Sequence, residues 1–305
     1  MKFNFTLGAI FGVFSQIAPF LLPTLFFESG LLTALSPIAI FLLTLRNGVG
    51  LGLIAVITNT AFLFSLQSTV SAVVGAWLWI TVGVLFPTLI RKTKKPVASF
   101  AITYGIATAL LFSILLVFAA KNQLGPIEYI KQQTNTQLAL IEQIPNSPVQ
   151  KMITENGREA VLKQINTELP SAILIFFMLV IWLNLLFASH LTRGLVAAGF
   201  WGSVKLPEWL VWPTLLSVAG FAFSDRIFHG LAIYYICLNI MKLCFSAYAL
   251  QGLSIISFLL TRFRILGIMR SLIFGLAVFV GIPLVLSLGF FDQWFDFRKK
   301  VGQSL

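Results

Sequence analysis

Hydrophobic and polar positions follow one another in blocks along this chain, not in residue-by-residue alternation. Apolar runs of about 15 to 25 residues are cut by short polar breaks, and runs of that length cross a ~30 Å hydrocarbon layer as helices. The first covers about residues 7–27 and carries Pro19 and Pro23, which should kink its outer half. Glu28-Ser29-Gly30 closes it, a second run over 31–45 stops at Arg46-Asn47, and a third over 48–66 stops at "QST", residues 67–69. A fourth, 70–90, ends in the basic "RKTKK" of 91–95, and a fifth covers about 97–120. A sixth occupies 170–189 and a seventh about 208–223. From Arg226 to Thr261 no proline intervenes, so the pattern predicts one helix of ~50 Å, longer than the hydrocarbon core. The last span is expected over about 271–290.

Residues 121–169 break this pattern with five basic and five acidic residues and many Gln and Asn. Ile127, Ile130, Leu138, Ile141 and Ile144 predict an amphipathic helix lying on its neighbours or on the bilayer surface. Ser147 as cap and Pro148 at the first helical position predict a second helix start. The expected class is therefore all-α, a polytopic transmembrane helix bundle of about 8–10 spans with one helical extramembrane insert. Its organisation reads as an N-terminal membrane bundle (1–120, about five spans), an extracytoplasmic amphipathic insert (121–169) and a C-terminal membrane bundle (170–305).

Composition sharpens this picture. Of 305 residues 58% are apolar and 10% charged, and a water-soluble globule of this size has too few interior positions to hide so much apolar surface. A membrane β-barrel would need alternating polar and apolar positions. The net charge of +11 reads as anchorage of cytoplasmic loops against anionic lipid, and no basic patch on a polar domain points to nucleic acid. Lys2 and the apolar run after it, with no small-x-small cleavage site, read as a retained first span. With a cytoplasmic N-terminus in a bacterial inner membrane, Arg46, "RKTKK", Arg193 with Lys205, and "RFR" at 262–264 all fall inside. Glu28 and the insert then fall outside. Nine spans would leave Arg298, Lys299 and Lys300 outside against that rule, so either the 226–261 helix makes two passes or the last segment re-enters. Arg46 marks a tight cytoplasmic corner, with Gly48, the first of the glycines at 48, 50 and 52, starting the return helix.

Candidate chemistry is sparse. Cys237 and Cys244 lie seven apart on one helix, roughly 10 Å along its axis, too far for a disulfide. Two thiols and two histidines supply no zinc ligand set. No paired nucleophile and base stands out, so neither enzyme activity, nor a cofactor, nor a metal is expected. Asp292 and Asp296 of "DQWFD" read as a solvated boundary flanked by interfacial aromatics. The stronger signal is the long helix. At 100° per residue, Asp225, His229, Asn239, Lys242 and Gln251 fall within about 100° of one line, and ionisable groups on an apolar helix point to a binding face. Asn239 and Lys242, i and i+3, would address the same anionic or carbonyl-bearing guest. Asn184 reads as interhelical glue and His190 as an interface residue.

Two segments carry a resemblance. "LRNGVGLGL" with a span closed by a basic cluster, and "LNIMKLCFSAYALQGLSIISFLL" followed by a basic turn, an apolar span and "FFDQWFDFRKK", resemble the YybS-like family of bacterial integral membrane proteins of unknown function. In that family an Asn, a Gln-Gly pair and a terminal Trp-Phe-Asp-Phe-Arg motif recur, matching Asn239, Gln251-Gly252 and residues 294–298 here. The N-terminal half is also similar to the substrate-binding membrane subunits of energy-coupling-factor vitamin transporters. That likeness implies a partner subunit met through small-xxx-small packing, which Gly8 and Gly12 match, and a small-molecule substrate. Transport-type capture of a small molecule is thus one expected role. A membrane scaffold whose insert meets an envelope partner is the other.

Overall fold

The computed structural model describes residues 7–30, 32–67, 69–93, 95–144, 148–191, 204–227, 231–265, 267–279 and 281–303, and every regular element among them is helical. Among the described residues five helices are long and apolar enough to cross a membrane: Val49–Leu66, Thr69–Thr93, Val97–Lys121, Arg158–Ser189 and Ile233–Arg262. A bent pair, Gly267–Val278 and Ile282–Phe295, passes the same test only when taken together. Ala18–Glu28 and Thr33–Asn47 are shorter apolar helices. The chain forms two compact units, one of residues 1–115 with 176–198 and one of 116–175 with 199–305.

The first unit contains α1 (Leu7–Glu28), α2 (Ile38–Asn47), α3 (Val49–Leu66), α4 (Thr69–Leu78), a π-helical stretch (Trp79–Leu85) and α5 (Phe86–Thr93). Its core gathers Ile40, Ala55, Val56, Leu63, Trp79 and Val84, and the Trp79 indole N–H reaches Ser36 Oγ at 3.1 Å. The glycines of the Arg46 corner separate into distinct roles. Gly48 sits at φ +97, ψ 174, a backbone region open essentially to glycine alone, so the corner needs it for its dihedrals. Gly52 is needed for space, since a methyl there would overlap the Thr44 hydroxyl of α2. Gly50 faces open space.

α1 carries Pro19 and Pro23 inside one helix, and Pro23 has a partner that sequence did not reveal. Pro23 has no N–H, which strips the Pro19 carbonyl of its helical donor. Asn59 of α3 donates its amide to that carbonyl at 2.9 Å, and its Oδ1 accepts from the Thr24 N–H at 3.2 Å and the Thr24 hydroxyl at 2.8 Å. Asn59 and Thr24 are fully buried. One side chain thus closes the gap the proline opens.

The second unit contains α7 (Pro126–Glu142), α8 (Pro148–Asn156), α10 (Val211–Ile227), α11 (Leu231–Arg262), α12 (Gly267–Phe279), α13 (Ile282–Phe295) and α14 (Phe297–Gln303). Two helices, α6 (Pro96–Lys121) and α9 (Arg158–Leu191), contribute residues to both units. The insert is helical as expected. Leu138 is its buried anchor, Ile127 and Ile144 stay exposed, and Pro148 begins α8, while Ser147 lies outside the described residues. Arg158 ties α9 to α7 through Glu142 at 2.8 Å and Asn135 at 2.7 Å.

Two expectations are corrected and one boundary is located. The boundary expected at residue 170 falls inside a helix, since α9 carries Pro170 within its 34 residues. The single helix expected from Arg226 to Thr261 is two elements: α10 ends at Ile227 and α11 begins at Leu231. The two elements pack on each other, with Gly220 of α10 against Cys237 of α11. The last span is not straight. α12 and α13 meet at a bend of 92°, next to Gly281 and Pro283, where a ring lacking an N–H opens α13. A bend of that size at a short break is what either a broken span or a re-entrant segment presents.

Candidate functional site

The polar residues singled out on the long helix separate into two clusters on α11, both within the second unit. Asn239 stands opposite Pro170 of α9. Its Oδ1 accepts from the Ser171 N–H at 2.9 Å, and its Nδ2 donates to the Thr167 carbonyl at 2.9 Å and to its own helix at Tyr235 at 2.8 Å. Ser171 N–H and Thr167 C=O are the rung that an uninterrupted helix would close itself, and the proline ring forces it open. Asn239 therefore repeats on α9 what Asn59 does on α1, and both its amide protons are committed. One turn on, Lys242 Nζ pairs with Glu168 Oε2 at 3.1 Å, both side chains part-exposed. Sequence placed Asn239 and Lys242 on one face, and the structure brings both to α9.

The second cluster centres on Gln251. Its Nε2 donates to Asp292 Oδ2 at 3.0 Å, and its Oε1 accepts from the Leu206 N–H at 2.9 Å. Asp292 is fully buried. Arg298 Nη2 reaches the same Oδ2 at 3.0 Å with a side chain only 12% exposed, and the Phe297 N–H donates to Oδ1 at 2.9 Å. Gln293 adds longer contacts to Gln251 and the Leu206 carbonyl, both 3.4 Å. The cluster is possible because two glycines let α11 and α13 almost touch: a methyl on Gly252 would overlap the Val285 carbonyl, and one on Gly289 the Tyr248 carbonyl. Asp296 ends α13 in the left-handed conformation at φ 44, which turns the chain so that Arg298 points back at Asp292. At the rim, Lys205 Nζ stands 3.7 Å from Asp296, both well exposed.

That rim and cluster join the irregular segment 204–207, the middle of α11 and the end of α13. Two of these three pieces carry the segments quoted for the resemblance. A family model for predicted membrane proteins (DUF2232) matches residues 9–293, nearly the whole chain. The chain belongs to the DUF2232 family. No curated protein and no solved structure matches it. As a DUF2232 member the protein is a membrane protein, in agreement with its long apolar helices, and the family description carries no activity with it.

The remaining site residues fall elsewhere. Asp225 belongs to α10, not to the helix that carries Asn239, and its side chain lies outside the described residues, as does His229 entirely. The reading that aligned both with Asn239 along one helix therefore loses its continuous frame. Gly8 and Gly12 fall within α1, but their packing lies outside the described residues. Asp292 was read as solvated and is the most buried carboxylate of the described residues. The signal that could have found it is its setting: one acid among Phe290, Phe291, Trp294 and Phe295 has to be met by a partner inside the protein. Asn184 donates to the Ala34 carbonyl at 2.7 Å, as glue between helices would. Among the described residues no group of His, Cys, Asp and Glu is arranged to hold a metal.

Proposed function

We propose that this DUF2232 protein captures a small anionic or carbonyl-bearing molecule inside its helix bundle, as the substrate-capture part of a larger transporter in a bacterial cytoplasmic membrane. The observation that carries this reading is the buried Asp292–Arg298 pair built around Gln251. Ionisable groups within membrane helices are costly and mark substrate paths by default. Irregular backbone among such helices is tolerated where it lines a cavity or lies buried in protein. Here two irregular pieces meet, residues 204–207 and the left-handed break at Asp296. Lys205, exposed at the rim 3.7 Å from Asp296, is the cation that an anionic guest would meet first. Partner subunits would supply the energy, because the sequence holds no nucleotide-binding motif.

The test is a thermal-shift screen of the detergent-purified full chain against carboxylates, vitamins and nucleobases. Stabilisation grows as RT ln(1 + [L]/Kd), so a ligand at a hundred times its Kd adds about 2.7 kcal/mol. A hit should lose its shift in Lys205→Gln and Gln251→Leu. A hit indifferent to both would overturn this assignment of the site. A second reading, a scaffold that docks an envelope partner, is favoured by the exposed Ile127, Leu140, Ile144 and Met152 of the insert. Crosslinking at these positions that captures one protein in intact cells would favour it.

A further inference from the structure

Within the first unit, α1 and α2 enclose a cavity of about 590 Å³ that the proposed function does not use. That volume lies within the range of small-molecule sites, roughly 300–1,000 Å³. Its walls are apolar, with Ala18 and Leu22 from α1 and Ala39 and Leu42 from α2, and Arg46 and Asn47 stand at one end. On α2 the lining positions Ile38, Ala39, Leu42, Leu43 and Arg46 form one helical stripe about 12 Å long. The result is a trough that is hydrocarbon-like for most of its length and cationic at its tip. A second cavity of about 680 Å³, between α3, α4 and α6, presents no polar surface at all and has no such polarity of ends.

The cation at the tip is reinforced. Phe41 of α2 and Phe86 of α5 meet edge to face at 5.8 Å, and Gly83 lies against Ile40, so the two helices run side by side in the same direction. Arg46 and Arg91 each follow their ring by five residues, which brings both, with Lys92, to the same end of the unit. Among the described residues none of the three pairs with a carboxylate. Glu28 and Gln67 pair at the opposite ends of α1 and α3.

We propose that this trough binds one anionic phospholipid, its acyl chain along α1 and α2 and its phosphate on Arg46. A guanidinium fits a phosphate oxygen pair in a bidentate manner, and the apolar trough takes the chain. A zwitterionic lipid gains less from this end, because its own cation opposes Arg46, Arg91 and Lys92.

The full-length protein, purified in detergent and stripped of lipid, is titrated with phosphatidylglycerol or phosphatidylcholine and read by native mass spectrometry. One tightly held phosphatidylglycerol is expected, with phosphatidylcholine weaker. Arg46→Gln should weaken it about fivefold, the attraction of a single cation for anionic lipid. Arg46→Lys, which keeps the charge and loses the bidentate fork, should fall between the parent protein and Arg46→Gln, and Lys131→Gln, in the insert, should change nothing. A phosphatidylglycerol with a photoactivatable chain should label residues 18–22 or 38–43. Ala18→Leu, which narrows the trough without altering charge, should reduce that label while the protein stays monodisperse. Equal retention of the two lipids, an Arg46→Gln variant that binds unchanged, labelling spread over all exposed helices, or displacement by free glycerol phosphate at equal concentration would each overturn the proposal.

Discussion

Replacing Asn239 by Leu removes the side chain that bridges α11 to the Pro170 break of α9. The Ser171 N–H and the Thr167 carbonyl then lose their partner, and Ser171 is 2% exposed, so water cannot substitute. An unsatisfied buried polar group costs about 1–3 kcal/mol, whereas interhelical hydrogen bonds measured within membranes average nearer 0.6. Two such groups therefore set the loss at roughly 1–6 kcal/mol. Pro170→Ala supplies the decisive background. With alanine the helix regains its N–H and can close the 171-to-167 rung itself, so Asn239 is no longer required there. The four proteins of the cycle are unfolded by titrating sodium dodecyl sulfate into mild detergent, followed by far-ultraviolet circular dichroism. Asn239→Leu should be clearly destabilising alone and cost less than half as much beside Pro170→Ala. Equal losses in the two backgrounds would refute the bridging role. No loss in either would show that the contact carries no stability.

Four further outcomes are expected. Gly252→Ala or Gly289→Ala should cost about 1–3 kcal/mol or prevent accumulation, because the overlapped atoms are backbone carbonyls; Gly275→Ala, in open space, should be neutral in the same thermal assay. Asp292→Asn should destabilise by about 3–5 kcal/mol by leaving Arg298 buried without its counter-charge, and adding Arg298→Gln should recover part of that loss in denaturant titrations. Gly48→Ala should lower the melting temperature by the equivalent of about 1–3 kcal/mol of backbone strain, with Gly50→Ala silent. In a Cys237→Ala/Cys244→Ala background, Glu155→Cys should react with a membrane-impermeant thiol reagent in spheroplasts and Lys92→Cys should not; the reverse would invert the proposed orientation.

What sequence made legible was local. Runs of apolar residues gave the helical class, Pro19 and Pro23 announced a kink, and Arg46 followed by Gly48 announced a corner. What it withheld was pairing at a distance. Asn239 and Gln251 stood out as polar on an apolar helix, yet their partners lie 68 and 41 positions away in the chain. A proline kink is visible from one residue, while the asparagine that mends it is a fact of tertiary packing. Asp292 was misread for the same reason: a carboxylate at the edge of an apolar run looks solvated until the chain turns at Asp296 and brings Arg298 back. The bend between α12 and α13 was present in sequence only as a violated charge rule at residues 298–300.

The near-contact of α11 and α13 through Gly252 and Gly289 also bears on how the protein is made. The ribosome delivers α11 some thirty residues before α13, so for an interval Gln251 faces the membrane with Asp292 and Arg298 not yet synthesised. During that interval Gly252 lacks the helix that packs on it and the Gln251 Nε2 lacks its carboxylate, while its Oε1 already has the Leu206 N–H. Arrival of α13 supplies both. Chains stopped before Ile282 should therefore be cleared by membrane proteolysis faster than chains that carry α13.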